Sequence, residues 1–159
     1  MMKNQSKPIR KTDDESKQFI INSLKGDVTR GFDIDSIYYH NDKWYIFEYL
    51  KCESEKVTPY SSDPKYYPQN WKKFYLLYSV ARKLNGVLLL INYSTRDKDK
   101  NEVKVMRVLD FDYEKAKSYS KKDGGLCEYM KLESWQLTMD EFSERLRKFN
   151  AVDSLPENF

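Results

Sequence analysis

The chain has 159 residues, with 28 basic and 25 acidic side chains and a net charge of +3. That balance neither demands nor excludes a polyanionic partner, so where the charges lie matters more than their sum. A single histidine and two cysteines argue against His-dependent nucleophile triads, zinc knuckles and a disulfide framework. The length suits one domain with its own core, and no apolar run nears the ~18 residues of a membrane span. No signal-peptide core opens the chain, so a soluble protein of the reducing cytoplasm with no membrane partner is expected.

Residues 1–11 are polar and basic around Pro8 and read as a flexible tail. Thr12 or Asp13 then caps a helix. Asp13, Asp14 and Glu15 suit its positive end, Gly26 its stop, and Ile20, Ile21 and Leu24 form its expected buried stripe. Residues 31–53 read as a hairpin, with β-branched and aromatic residues on both sides of the polar turn His40-Asn41-Asp42-Lys43. A tyrosine-rich loop with three prolines follows over residues 58–68 and reads as a shaped surface loop.

Asn70 is placed to cap a long helix ending near Leu84. Trp71, Phe74, Tyr75, Tyr78 and Ala81 recur at helical spacing, Leu77 and Leu84 widen the stripe, and Lys72, Ser79 and Lys83 lie on another side. Asn85-Gly86 stops it. The apolar run over residues 87–93 marks a strand covered on both faces, and residues 102–110 alternate as the next strand. Residues 114–125 are irregular and basic, a short strand is expected near 128–135, and Thr138-Met-Asp-Glu141 is a capping box opening a last helix with Phe142, Leu146 and Phe149 inward. Past Val152 the chain reads as a frayed tail. The order predicts a single α+β or mixed α/β domain over residues 12–152, a central mixed sheet flanked by helices.

The hairpin also carries acids among apolar residues. Asp33 and Asp35 alternate with Phe32, Ile34 and Ile37, Glu48 ends the run Trp44-Tyr-Ile-Phe, and Lys51 follows three residues later. A carboxylate in such a place must be paired, protonated or metal-bound, because a lone charge in a low dielectric is costly. Asp33 and Asp35 would share one face of the first strand, and an antiparallel partner brings Glu48 beside one of them. Clustered carboxylates suit Mg²⁺, with Mn²⁺ as a substitute, and a neighbouring lysine can polarise a water or stabilise phosphoryl charge. Two acids, a lysine and a metal suffice for phosphodiester hydrolysis without histidine. The plainer alternative makes Asp33 and Asp35 edge charges or partners of Arg30 and Lys43, and Glu48 a partner of Lys51 or Lys56.

The order of helix, hairpin with Phe32-Asp-Ile-Asp35 and Ile46-Phe-Glu48, long helix and apolar strand resembles the PD-(D/E)XK nuclease superfamily, the restriction-endonuclease-like fold, over roughly residues 13–93. The resemblance implies a Mg²⁺-dependent endonuclease acting on DNA. Asp35 or Asp33 would hold the metal with Glu48, Lys51 would assist the attacking water, and Glu15 is a candidate further acid. It also implies a nucleic-acid partner and a homodimer in which two sites meet two strands. No proline precedes the aspartate here. The acid and lysine stand three apart instead of two, so a β-bulge at Tyr49 or Leu50 is required to put Lys51 beside Glu48. Lys72, Lys115, Lys117, Lys121 and Lys122 are candidate DNA contacts, although Lys115 to Lys122 also reads as a solvated loop. The class alternatives are a non-catalytic member of the fold that binds nucleic acid or protein, and an interaction domain that uses Tyr66 and Tyr67.

Overall fold

The two-residue turn Asn41-Asp42 sets the register of the hairpin. Both residues have positive φ, 45° and 59°, the mirror-image turn whose twist matches that of paired strands. It joins β1 (Ser36–His40) to β2 (Lys43–Lys51), antiparallel with Tyr38 opposite Tyr45. The computed structural model of the chain describes residues 15–119 and 125–151. The expected basic tail, the caps at Thr12 and Asp13, Lys121, Lys122 and the C-terminal tail lie outside the described residues.

The chain divides into two compact units between Asp33 and Ile34. In the first, α1 (Glu15–Ser23) forms, and its expected buried stripe does not: no residue of α1 is buried, and Ile20 and Ile21 are exposed. Among the described residues of this unit nothing buries the apolar side chains of the nine-residue helix, so their spacing alone does not create a core. Asp33 lies outside any strand and pairs with Lys17 at 3.2 Å, with both side chains exposed. This corrects its placement on the first strand and its pairing with Arg30 or Lys43.

The second unit is built on one mixed sheet, in the order β1-β2-β3-β4-β5, with β3 (Val87–Tyr93), β4 (Glu102–Phe111) and β5 (Met130–Thr138). β2 and β3 are parallel and the other neighbours antiparallel. A parallel pair needs a crossover, and α2 (Trp71–Lys83) supplies it. Phe74, Leu77 and Ala81 of α2 pack with Ile46, Leu88, Leu90 and Met106 on one face of the sheet. On the other face α4 (Met139–Asn150) places Phe142 and Phe149 with Phe47, Leu89, Ile91 and Val105. Residues 87–92 of β3 are all buried, as expected of a strand covered on both sides.

The capping box of α4 is complete: the Thr138 hydroxyl accepts from the Glu141 N–H at 3.2 Å, and the Glu141 carboxylate accepts from the Thr138 N–H at 2.7 Å. Asn70 precedes α2 without a side-chain cap bond. Within the stretch expected to be irregular, Asp112 caps a short helix, α3 (Tyr113–Lys117), by accepting from the Lys115 N–H at 2.9 Å. The sequence reading missed it because an aspartate N-cap followed by only one helical turn carries no periodic signal.

The proline-rich loop is pinned over the sheet from below. The Asn92 amide, fully buried on β3, donates to the carbonyls of Pro59 at 3.1 Å and Ser62 at 2.9 Å, and Lys104 donates to Ser62 at 3.0 Å. Tyr60 donates to the Leu137 carbonyl at 2.9 Å, and Tyr67 packs on Phe74, whereas Tyr66 is exposed.

Gly86 immediately precedes β3 where the chain meets the hairpin: a Cβ built there would lie 2.5 Å from the Trp44 carbonyl oxygen. The obstacle is backbone and cannot swing aside. Gly86→Ala is therefore expected to destabilise the second unit by about 1–3 kcal/mol through overpacking, read as a lower denaturation midpoint with unchanged slope.

Candidate active site

Alternation along β2 decides what Glu48 meets. Ile46 and Leu50 belong to the apolar cluster beneath α2, and Tyr45, Phe47 and Tyr49 to the cluster on the opposite face. Glu48 therefore points toward α2, in a row with Leu90 of β3, and it is 3% exposed. A carboxylate there loses its hydration, so the site has to supply a countercharge. Lys73 provides it: its Nζ pairs with Glu48 Oε1. The lysine stands in the first turn of α2, one turn before buried Leu77, which brings its stem to the sheet side of the helix.

Asp35 reaches the same strand from the other direction. The β1 ladder begins at Ser36, opposite Phe47, and Asp35 precedes the strand rather than lying on it. Beyond the end of the ladder, the Tyr49 N–H of β2 donates to Asp35 Oδ2 at 2.8 Å. The exposed Asp35 carboxylate thus sits at the backbone of the residue next to Glu48. It retains acceptor capacity beyond that one bond, because an ionised carboxylate offers about four lone-pair sites. Burial pushes the Tyr49 hydroxyl up to about 12, with Tyr38 and Asp35 adding to the rise.

Lys51 does not join this group. The β2–β3 register runs without a break from Tyr45↔Val87 to Lys51↔Tyr93, so no bulge shifts the alternation. Three residues after Glu48, Lys51 leaves from the opposite face, exposed at the end of the strand. Glu48 takes its lysine from α2, and neither Lys51 nor Lys56 is that partner. The sequence signal for Lys73 is its spacing of four from Leu77, which the stronger aromatic stripe of the helix masks.

Of the candidate DNA contacts, Lys72 is exposed in α2, and Lys115 and Lys117 are exposed in α3. Cys52 is buried, and burial raises its thiol above the usual range, which does not suit a nucleophile. His40 packs its ring on Phe149 at 5.4 Å.

Among the described residues no group of three or more His, Cys, Asp and Glu side chains is placed to hold a metal. Asp35, at the Tyr49 N–H, and Glu48, on the α2 side of β2, are each oxygen donors of the kind that Mg²⁺ accepts when waters complete the set. No protein-family model matches the chain, and no curated protein or solved structure matches it significantly.

Because Lys73 is one half of an ion pair with a buried carboxylate, Lys73→Ala should cost about 3 kcal/mol. Lys51→Ala, on an exposed strand end, should change stability by less than about 0.5 kcal/mol. Urea denaturation of the two variants compares them directly; equal effects would contradict the assignment of Lys73.

Proposed function

We propose that the chain is a metal-dependent nuclease that hydrolyses phosphodiester bonds in DNA, with a restriction-endonuclease-like arrangement of its hairpin, long helix and parallel strand. The observation that carries this reading is Glu48, buried in an apolar sheet with the Asp35 carboxylate at the adjoining backbone position and the Lys73 ammonium against its oxygen. Stability alone does not account for such a group, since apolar residues of similar volume in place of a buried ion pair are often as stable or more so.

Asp35 and Glu48 are the residues that would hold Mg²⁺ or Mn²⁺. When bound, the ion supplies Lewis-acid polarisation of the phosphate and acidifies an attached water. Glu48, carried by the buried middle of β2, would be the more rigid of the two donors. Lys73 is the lysine of the site in place of Lys51. Its ammonium, 30% exposed at the side chain, reaches both the carboxylate and solvent. In this reading it would orient the attacking water and stabilise the negative charge that builds on the phosphate oxygens as the ester bond breaks.

The test is cleavage of supercoiled plasmid, linear duplex and single-stranded DNA in Mg²⁺ or Mn²⁺. Asp35→Asn, Glu48→Gln and Lys73→Ala should each lower the rate by about a hundredfold or more with the fold retained by circular dichroism, while Lys51→Ala stays within about twofold of wild type. Undiminished cleavage by Glu48→Gln would overturn the site. DNA binding without cleavage under either ion would assign the chain to the non-catalytic alternative.

A further inference from the structure

One strip of surface beside the candidate site combines cations and rings. The first turn of α2 presents Lys73, Lys72 and Trp71 in succession at 100° steps: Lys73 toward Glu48, Lys72 outward, and Trp71 toward α3. There the Trp71 ring meets Tyr113 at 5.8 Å and 72°, and Tyr113 packs on Tyr75 at 4.7 Å. Both Trp71 and Tyr113 are half-buried. Lys72 Nζ lies 5.9 Å from the centre of the Trp71 ring and Lys117 Nζ 5.7 Å from that of Tyr113. Tyr113 and Lys117 are four residues apart on α3 and share a face. Two acids lie at the start of this helix: Asp112, engaged as its cap, and Glu114, exposed in its first turn.

From this juxtaposition we infer that the strip binds an unpaired stretch of DNA, with bases on Trp71 and Tyr113 and phosphates on Lys72 and Lys117. A solvated ammonium resting over a ring marks a face of that ring turned toward solvent. The contact is weak at an exposed site, so a base can replace the ammonium on the ring while the ammonium moves to the phosphate. The two half-buried rings are in edge-to-face contact with each other and pack on the core, so a splayed base would stack on their outer faces rather than between them. A base stacked inside a duplex has no free face to offer, and stacking platforms of this kind select single strands. The strip begins at Lys73, so a strand lying along it leads into the pair formed by Glu48 and Lys73. The choice of DNA rests on the nuclease reading; the binding itself does not.

Fluorescence anisotropy with a labelled single-stranded oligodeoxynucleotide and its duplex, in EDTA to prevent cleavage, separates the two claims. Wild type should bind the single strand at least fivefold tighter than the duplex. The Lys72→Ala/Lys117→Ala variant should weaken single-strand binding more than tenfold at low salt and reduce the slope of log K against log salt by about 1.4, two phosphates at about 0.7 each. Tyr113→Ala, checked for folding by circular dichroism, should lose about tenfold, and Lys83→Ala, at the far end of α2, should bind as wild type. Duplex bound as tightly as single strand, or full affinity in the double lysine variant, would overturn the inference. Either result would leave the cleavage assay to decide the nuclease reading separately.

Discussion

The ion pair between Glu48 and Lys73 is the constraint that joins the hairpin to the crossover helix. An acid in the buried row of β2 imposes a demand on whatever covers that face, and α2 meets it at its first turn, where no acidic residue competes for the lysine. The apolar contacts of Phe74, Leu77 and Ala81 fix the helix on the sheet, and the charge pair fixes its rotation and its starting end. Hydrophobic packing is tolerant of small slides along a helix, whereas a buried carboxylate is not tolerant of losing its partner. The parallel pairing of β2 and β3, the position of α2 and the location of the candidate chemistry therefore hang together.

The same division of labour recurs beside the site. Between β2 and α2 the chain crosses the end of the sheet in a long loop, and polar groups from below hold it: Asn92 and Lys104 on the loop carbonyls, and Arg96 on those of Ser54 and Val57 at 2.8 Å each. Arg96 is itself oriented by Asp99, whose carboxyl is held below its usual range by the guanidinium. A loop fastened in this way delivers the first turn of α2, and with it Lys72 and Lys73, to a defined place.

Much of this fold is legible in the sequence because period and punctuation agree. The apolar run at residues 87–93, the turn at Asn41-Asp42, the stop at Asn85-Gly86 and the capping box at Thr138 each carry a local physical signal, and each element forms where that signal lies. What local signals do not carry is which residue meets which. The alternation of acids with apolar residues is readable, yet Asp35 lies just before β1 rather than on it and meets β2 through the Tyr49 N–H. Lys51 is adjacent in sequence and remote in direction, because a strand alternates its faces every residue. Lys73 is distant in sequence and in contact, because tertiary packing of α2 brings it there. The first helix shows the converse, since its spacing is amphipathic and its apolar residues are nonetheless exposed.

Asp35 and Glu48 are proposed as one oxygen-donor site, with Lys73 as its attendant cation. Calorimetric titration of Mn²⁺ and Mg²⁺ into wild type and into Asp35→Asn/Glu48→Gln tests it most directly. About one or two ions should bind per chain in wild type, in keeping with a site of few carboxylates and several waters, and none in the double variant while its circular dichroism is unchanged. Equal metal binding by both proteins, or no binding by wild type, would contradict it.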